Sequence, residues 1–221
     1  MELVDAINKR RSIRHYKPTP VSKELLTAIL NMATRAPSGG NQQPWEFIVL
    51  GGKVLDSLRQ ALQEEFLAGV KPHPDFAREP ATGIYRERYI ANIVPLYKLL
   101  GIAREDKEKR RQYSAEMLRF FDAPNAIIIT VPEEDNPFLT IFSIGAVSQN
   151  IALVAVNFGL GTCILHIITD YPDVIRKFVD IPESRRIAIG MSIGVPDWDA
   201  AVNTFRSARL PLSDTVTWHG V

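Results

Sequence analysis

Residues 140–165, TIFSIGAVSQNIALVAVNFGLGTCIL, are the stretch whose reading decides the fold. From 141 to 158 the run is apolar on nearly every side, with Gly145, Ala146, Ala152 and Ala155 spaced along it. A helix that is hydrophobic all round is buried, and its small residues let another backbone or a flat ligand come close. Length alone also permits a membrane span. However, Ser148, Gln149 and Asn150 sit together at its middle and no basic flank follows, so the stretch reads as the central buried helix of a soluble protein. Gly159-Leu160-Gly161 is a helix stop, followed by a short β-type run over 162–168.

The rest of the chain suits such a core. Its 221 residues, 46% hydrophobic and 23% charged, fit one globular α/β or α+β domain, or one domain with an insertion. The net charge of +1 supplies no global field toward nucleic acid or a membrane, so any basic site must be local. Cys163 is the single cysteine, which rules out an internal disulfide and points to a reducing compartment. MELVDAINKRRS lacks the apolar core of a secretory signal, and the expected location is the cytoplasm.

In chain order, 2–11 reads as a short helix ending in Arg10-Arg11-Ser12-Ile13-Arg14. Ser22 caps the next helix, whose Leu25, Leu26, Ile29, Leu30 and Ala33 recur at helical spacing. The loop PSGGNQQPW (37–45) leads to a strand at 46–50 and a helix at 53–68. Pro72, Pro74 and Pro80 make 69–82 a candidate mobile loop or lid. Residues 84–102 read as helical with a break or kink at Pro95, and 104–121 as a charged helix with Glu105/Lys109 and Asp106/Arg110 pairs. AIIITV (126–131) is a strand buried on both faces. A short helix at 173–179, a strand at 186–193 and an extended tail from Pro196 follow, the tail being of a kind that lies on something else, such as a second subunit.

Several chemistries are excluded by motif. The four histidines form no metal-spaced pair, and Cys-x-x-Cys, His-Glu-x-x-His, Gly-x-Ser-x-Gly and Walker A patterns are absent. Gly159-Leu160-Gly161 follows a helix, so it is no dinucleotide fingerprint. Cys163 reads as a small buried hydrophobe. Three polar clusters remain. The arginines at 10–14 suit either a helix C-terminus or a phosphate dianion. Ser38-Gly39-Gly40-Asn41-Gln42-Gln43 has more hydrogen-bonding capacity than a turn requires. Arg206 and Arg209 lie in the tail.

RRSIR near the start, APSGGNQQPWEF after it, the long apolar helix running into GLGTC, and RLPL near the end occur in that order. Together they resemble the FMN-dependent nitroreductase family over essentially the whole chain. YRERY, LYKLLGIAREDKEKR and MLRFFDAPNAI look more like its nitrobenzoate and nitroaromatic reductase branch than like iodotyrosine deiodinases. The resemblance implies an α+β fold, with a central, mainly antiparallel sheet wrapped by helices. It implies one domain over 1–221, with a pocket insertion at about 69–122 and a C-terminal arm at about 197–221. It further implies an intertwined homodimer, the long helix lying near its symmetry mate.

By the same resemblance, Arg10, Arg11, Ser12 and Arg14 hold the phosphate, ribityl chain and pyrimidine edge of FMN, and Arg209, with Arg206, reaches the phosphate. Pro37, Ser38, Gly39 and Asn41 come from the other subunit, and Ile164, Leu165 and His166 lie along the flavin. Ser143 stands where many relatives carry an acid or amide near the ribityl chain, and His166 where Gly or Glu is commoner. The implied reaction is ping-pong. NADH or NADPH gives hydride to FMN and leaves, and a small planar aromatic acceptor, a nitroarene or quinone, takes the same place. No side chain is named as catalytic. Dehalogenation, flavin fragmentation, dehydrogenation and plain FMN storage are other uses of such a fold; nucleic acid and membrane are not expected partners.

Overall fold

The computed structural model describes residues 1–77, 79–133 and 137–221; Arg78, within the expected lid, lies outside the described residues. The apolar run NAIIITVP forms β2 (Asn125–Pro132), buried along all but its last residue. Strand β1 (Glu46–Gly51) pairs with one edge of β2, and β4 (Arg185–Gly194) with the other. Strand β3 (Gly161–Leu165) pairs with the far edge of β4, giving an entirely antiparallel sheet of order β1-β2-β4-β3.

A strand buried on both faces needs a layer on each. Ile127, Ile129 and Val131 meet α2 (Lys23–Ala33) and α6 (Pro137–Asn157). Ala126 and Ile128 share the opposite core with α3 (Gly52–Leu67), α5 (Lys107–Leu118) and α7 (Pro172–Phe178). Helices α1 (Leu3–Lys9) and α4 (Gly83–Leu99) lie at the periphery.

Four local readings need correction. Helix α6 is not buried all round: Ile144, Val147, Ile151 and Ala155 form its buried stripe, while Phe138, Ile141 and Phe142 are exposed because α2 and the sheet cover only one side. Helix α4 runs unbroken through Pro95. Helix α5 begins at Lys107 because Asp106 caps it, its Oδ1 accepting from Lys109 N at 2.9 Å. That geometry replaces an Asp106/Arg110 side-chain pair; Arg110 Nε instead reaches the Asp106 carbonyl at 3.3 Å. The β run after Gly161 stops at Leu165, and 166–170 fold into a 3₁₀ turn.

The expected lid carries firm anchors. Asp75 pairs with Arg176 at 2.8 Å and accepts from Ile187 N at 2.7 Å, and His73 N donates to the Asp170 carbonyl at 2.9 Å.

The chain's two ends meet at β3. Ser12 forms a parallel bridge to Thr162, and Ile13 N donates to the Thr162 carbonyl at 3.0 Å. Gly161 makes this approach possible, since a Cβ there would collide with the Ile13 side chain and come within 2.9 Å of Pro196 Cγ. Gly161→Ala is therefore expected to destabilise the fold by about 1–3 kcal/mol through overpacking. The urea midpoint measures this, and an unchanged midpoint would show that the strand edge yields freely.

Candidate functional site

Helix α1 ends at Lys9 with Arg10 as its cap, and Ser12 and Ile13 then bond to the edge of β3 at Thr162. Asn203, fully buried, holds this segment to the tail. Its Oδ1 accepts from Arg14 N at 2.8 Å, and its Nδ2 donates to the carbonyls of His15 and Asp197, each at 2.7 Å. The chain after Asn203 is thereby directed back over the arginine segment, where Arg206 donates to the Asn8 carbonyl at 2.9 Å.

The result is a cavity of ≈ 490 Å³ lined by Arg10, Arg11, Arg14, Arg206 and Arg209, with Ser12 among them and no carboxylate. Among the described residues, none of the five arginines forms an ion pair. Burial, with Arg209 nearby, lowers the Arg10 pKa; burial, with Arg206 nearby, lowers that of Arg11. Aromatic faces and carbonyls position two of the guanidinium groups. Arg11 lies over Trp198 at 5.4 Å and Arg14 over Phe205 at 5.9 Å, and Arg14 Nη1 donates to the Ser12 carbonyl at 3.2 Å.

A second cavity of ≈ 420 Å³ shares Ser12, Arg14 and Asn92 with the first. The β3 edge supplies Cys163, Ile164 and Leu165, and His166 follows. Helix α4 supplies Tyr89, Ile93 and Tyr97, and α5 supplies Tyr113, Ser114 and Met117. Burial pushes the Tyr113 hydroxyl up to about 12, with Arg14 acting against the rise. Burial likewise raises the Cys163 thiol, opposed by Arg14. Both groups stay neutral at neutral pH, so Arg14 keeps its charge uncompensated. A basic chamber opening into an aromatic slot suits a ligand with an anionic end and a flat ring.

The structure thus brings together Arg10, Arg11, Ser12, Arg14, Ile164, Leu165, His166, Arg206 and Arg209. It does not bring Pro37, Ser38, Gly39 or Asn41 to either cavity of the same chain; Gly39 lies beside Leu139 of α6 instead. Ser143 is buried, its hydroxyl donating to the Leu139 carbonyl at 2.7 Å, and lines neither cavity. Residues 69–77 and 79–82 are also absent from the slot wall, which α4 and α5 form. Asn92, Gln149, Phe205 and Tyr113 join the site without having been named as site residues from sequence, although Gln149 stood out as a polar residue in the long apolar helix. An aromatic residue inside an otherwise charged helix was the available signal for Tyr113.

The nitroreductase family model matches residues 7–195. The nitroreductase NfnB of Mycolicibacterium smegmatis is 31% identical, over 95% of this chain and 89% of the relative. The chloronitrobenzene nitroreductase of Comamonas testosteroni is 31% identical, over 97% and 95%. The crystal structure of the FMN- and NADPH-dependent nitroreductase NfnB from Sphigopyxis sp. strain HMH superposes with a TM-score of 0.95 at 28% identity, covering 100% of both chains.

Asn203→Ala removes the fully buried amide that bonds Arg14 N and the His15 and Asp197 carbonyls. It is expected to destabilise the chain by about 2–4 kcal/mol, measured by urea unfolding. Tyr113 favours its protonated form in the folded state. Its stabilising contribution is complete below pH 10, the ordinary value, and is lost as pH rises through about 12. Tyr113→Phe should accordingly give a shallower alkaline fall in stability than the wild type when urea midpoints are compared across that window.

Proposed function

The chain belongs to the nitroreductase family, and from that premise we propose that it is an FMN-dependent NAD(P)H oxidoreductase reducing nitroaromatic or quinone-type acceptors. The observation that carries this reading is the convergence of five arginines, free of carboxylates, at the mouth of an aromatic slot. That donor set fits a phosphate monoester, and the slot fits a flat ring. FMN combines the two and, when bound, supplies the hydride chemistry between NADH or NADPH and the acceptor.

In this reading Arg10 and Arg209 clamp the phosphate, with Arg11, Arg206 and Ser12 around them. Burial first, and then repulsion from Arg209 and Arg206, lowers the Arg10 and Arg11 pKa values, and charge-assisted bonds to a dianion offset both. Arg14, at the junction, places a fixed positive charge where the pyrimidine edge of the ring would lie, stabilising the electron-rich form by preorganised electrostatics. The 164–166 backbone lines the ring, and Tyr89, Tyr97 and Met117 exclude water from it. Donor and acceptor take turns over one open face, so no separate nucleotide domain is needed.

A homodimer belongs to the same proposal. The exposed apolar residues of α1 (Leu3, Val4, Ile7) and of the first half of α6 (Ile141, Phe142), together with Leu212 and Trp218 in the arm, would be covered by a second copy. That copy would bring Pro37, Ser38, Gly39 and Asn41 to the site. The proposed location is the cytoplasm.

The purified protein should be yellow, should bleach anaerobically with NADPH or NADH, and should recolour on adding nitrobenzene. A colourless protein indifferent to added FMN would overturn the reading. Arg10→Ala should weaken FMN binding by roughly 10- to 100-fold while changing riboflavin binding little, because only FMN carries the phosphate. Arg14→Ala should lower the reduction rate more than flavin content; equal losses would count against its proposed role.

A further inference from the structure

On α4, the run Ile90-Ala91-Asn92-Ile93-Val94 sets one amide among apolar residues. Tyr89, Asn92, Ile93, Leu96 and Tyr97 recur at helical spacing and face the aromatic slot. Within that stripe only Asn92 also lines the basic chamber. Its Oδ1 is buried and accepts no hydrogen bond among the described residues. Ser12 and Arg14 border the same junction but make their backbone bonds elsewhere: Arg14 donates to the Ser12 carbonyl, and its own N–H is taken by Asn203.

A buried acceptor without a donor is unfavourable, so its position specifies what a ligand must bring. The ligand must carry an O–H or N–H between its anionic end and its flat end. A phosphate dianion offers no such proton, and an apolar acceptor in the slot offers none either. The ribityl chain of FMN carries hydroxyls at that place, between phosphate and ring. We propose that Asn92 is a cofactor-binding residue, its Oδ1 accepting a hydrogen bond from a ribityl hydroxyl, so that α4 closes over the cofactor by a polar contact as well as by its apolar stripe. This rests on the flavin reading above.

The test compares wild type with Asn92→Leu, which keeps approximate size and removes the acceptor. Binding of FMN, riboflavin and lumiflavin is measured by flavin fluorescence, and thermal unfolding of the flavin-free protein is recorded alongside. Asn92→Leu is expected to weaken FMN and riboflavin equally, by roughly five- to tenfold, and to leave lumiflavin, which lacks the ribityl chain, unchanged. The flavin-free variant should unfold no lower than wild type, because it loses an unsatisfied polar atom. Unchanged FMN affinity, an equal loss for lumiflavin, or a lower unfolding temperature for the flavin-free variant would each overturn the proposal. If wild type binds none of the three flavins, it is the flavin reading itself that fails.

Discussion

The architecture of the site depends on holding like charges together. Arg10, Arg11 and Arg14 come from the first turn of chain after α1, and Arg206 and Arg209 from the last arm, yet all line one cavity. Nothing electrostatic favours that arrangement without an anion, and the downward pKa shifts of Arg10 and Arg11 include this repulsion. The compensation is structural. Asn203 makes three short hydrogen bonds at zero exposure, tying the arm to the backbone of Arg14 and His15, and the Ser12–Thr162 bridge ties that backbone to the sheet. Free energy of folding is thus stored as a preorganised anion site, which reduces the reorganisation required on binding.

The sheet has the complementary task of presenting one edge. Strand β2 is buried on both faces and is flanked by β1 and β4; the outer strands are β1 and β3, and it is the β3 edge that meets the site. The side of that edge near its start is occupied by 12–13, admitted by the missing side chain of Gly161. Its far end, where the strand gives way to a 3₁₀ turn at His166, lines the slot. Cys163, beneath, is a buried thiol whose raised pKa leaves it neutral, consistent with packing rather than nucleophilic chemistry.

Helices α4 and α5 show where local reading of sequence reached its limit. The charges of α5 describe its solvated side, but Tyr113, Ala115 and Leu118 turn inward, and Tyr113 becomes part of the slot. Pro95 suggests a break, yet α4 runs through it. The apolar all-round pattern of α6 correctly marks a core helix, while the exposure of Phe138, Ile141 and Phe142 leaves part of that pattern unexplained by the single chain. Asn92 was overlooked because one amide in a helix has no distinguishing pattern; only its placement between two cavities gives it meaning.

By itself the sequence determined the elements and the chemistry of the arginine segment. Apolar run length marked β2 and α6, capping and helical spacing marked α2, and residue type alone made 10–14 a candidate for phosphate. These are properties of neighbours in the chain, legible because periodicity and side-chain chemistry are local. Tertiary structure decided which distant groups share a space. That Arg209 lies beside Arg10, that Asn203 rather than an ion pair joins the two ends, and that α4 roofs the slot depend on how both cores pack against the sheet. Such packing is a sum over many non-local contacts, none of which leaves a mark in the order of residues.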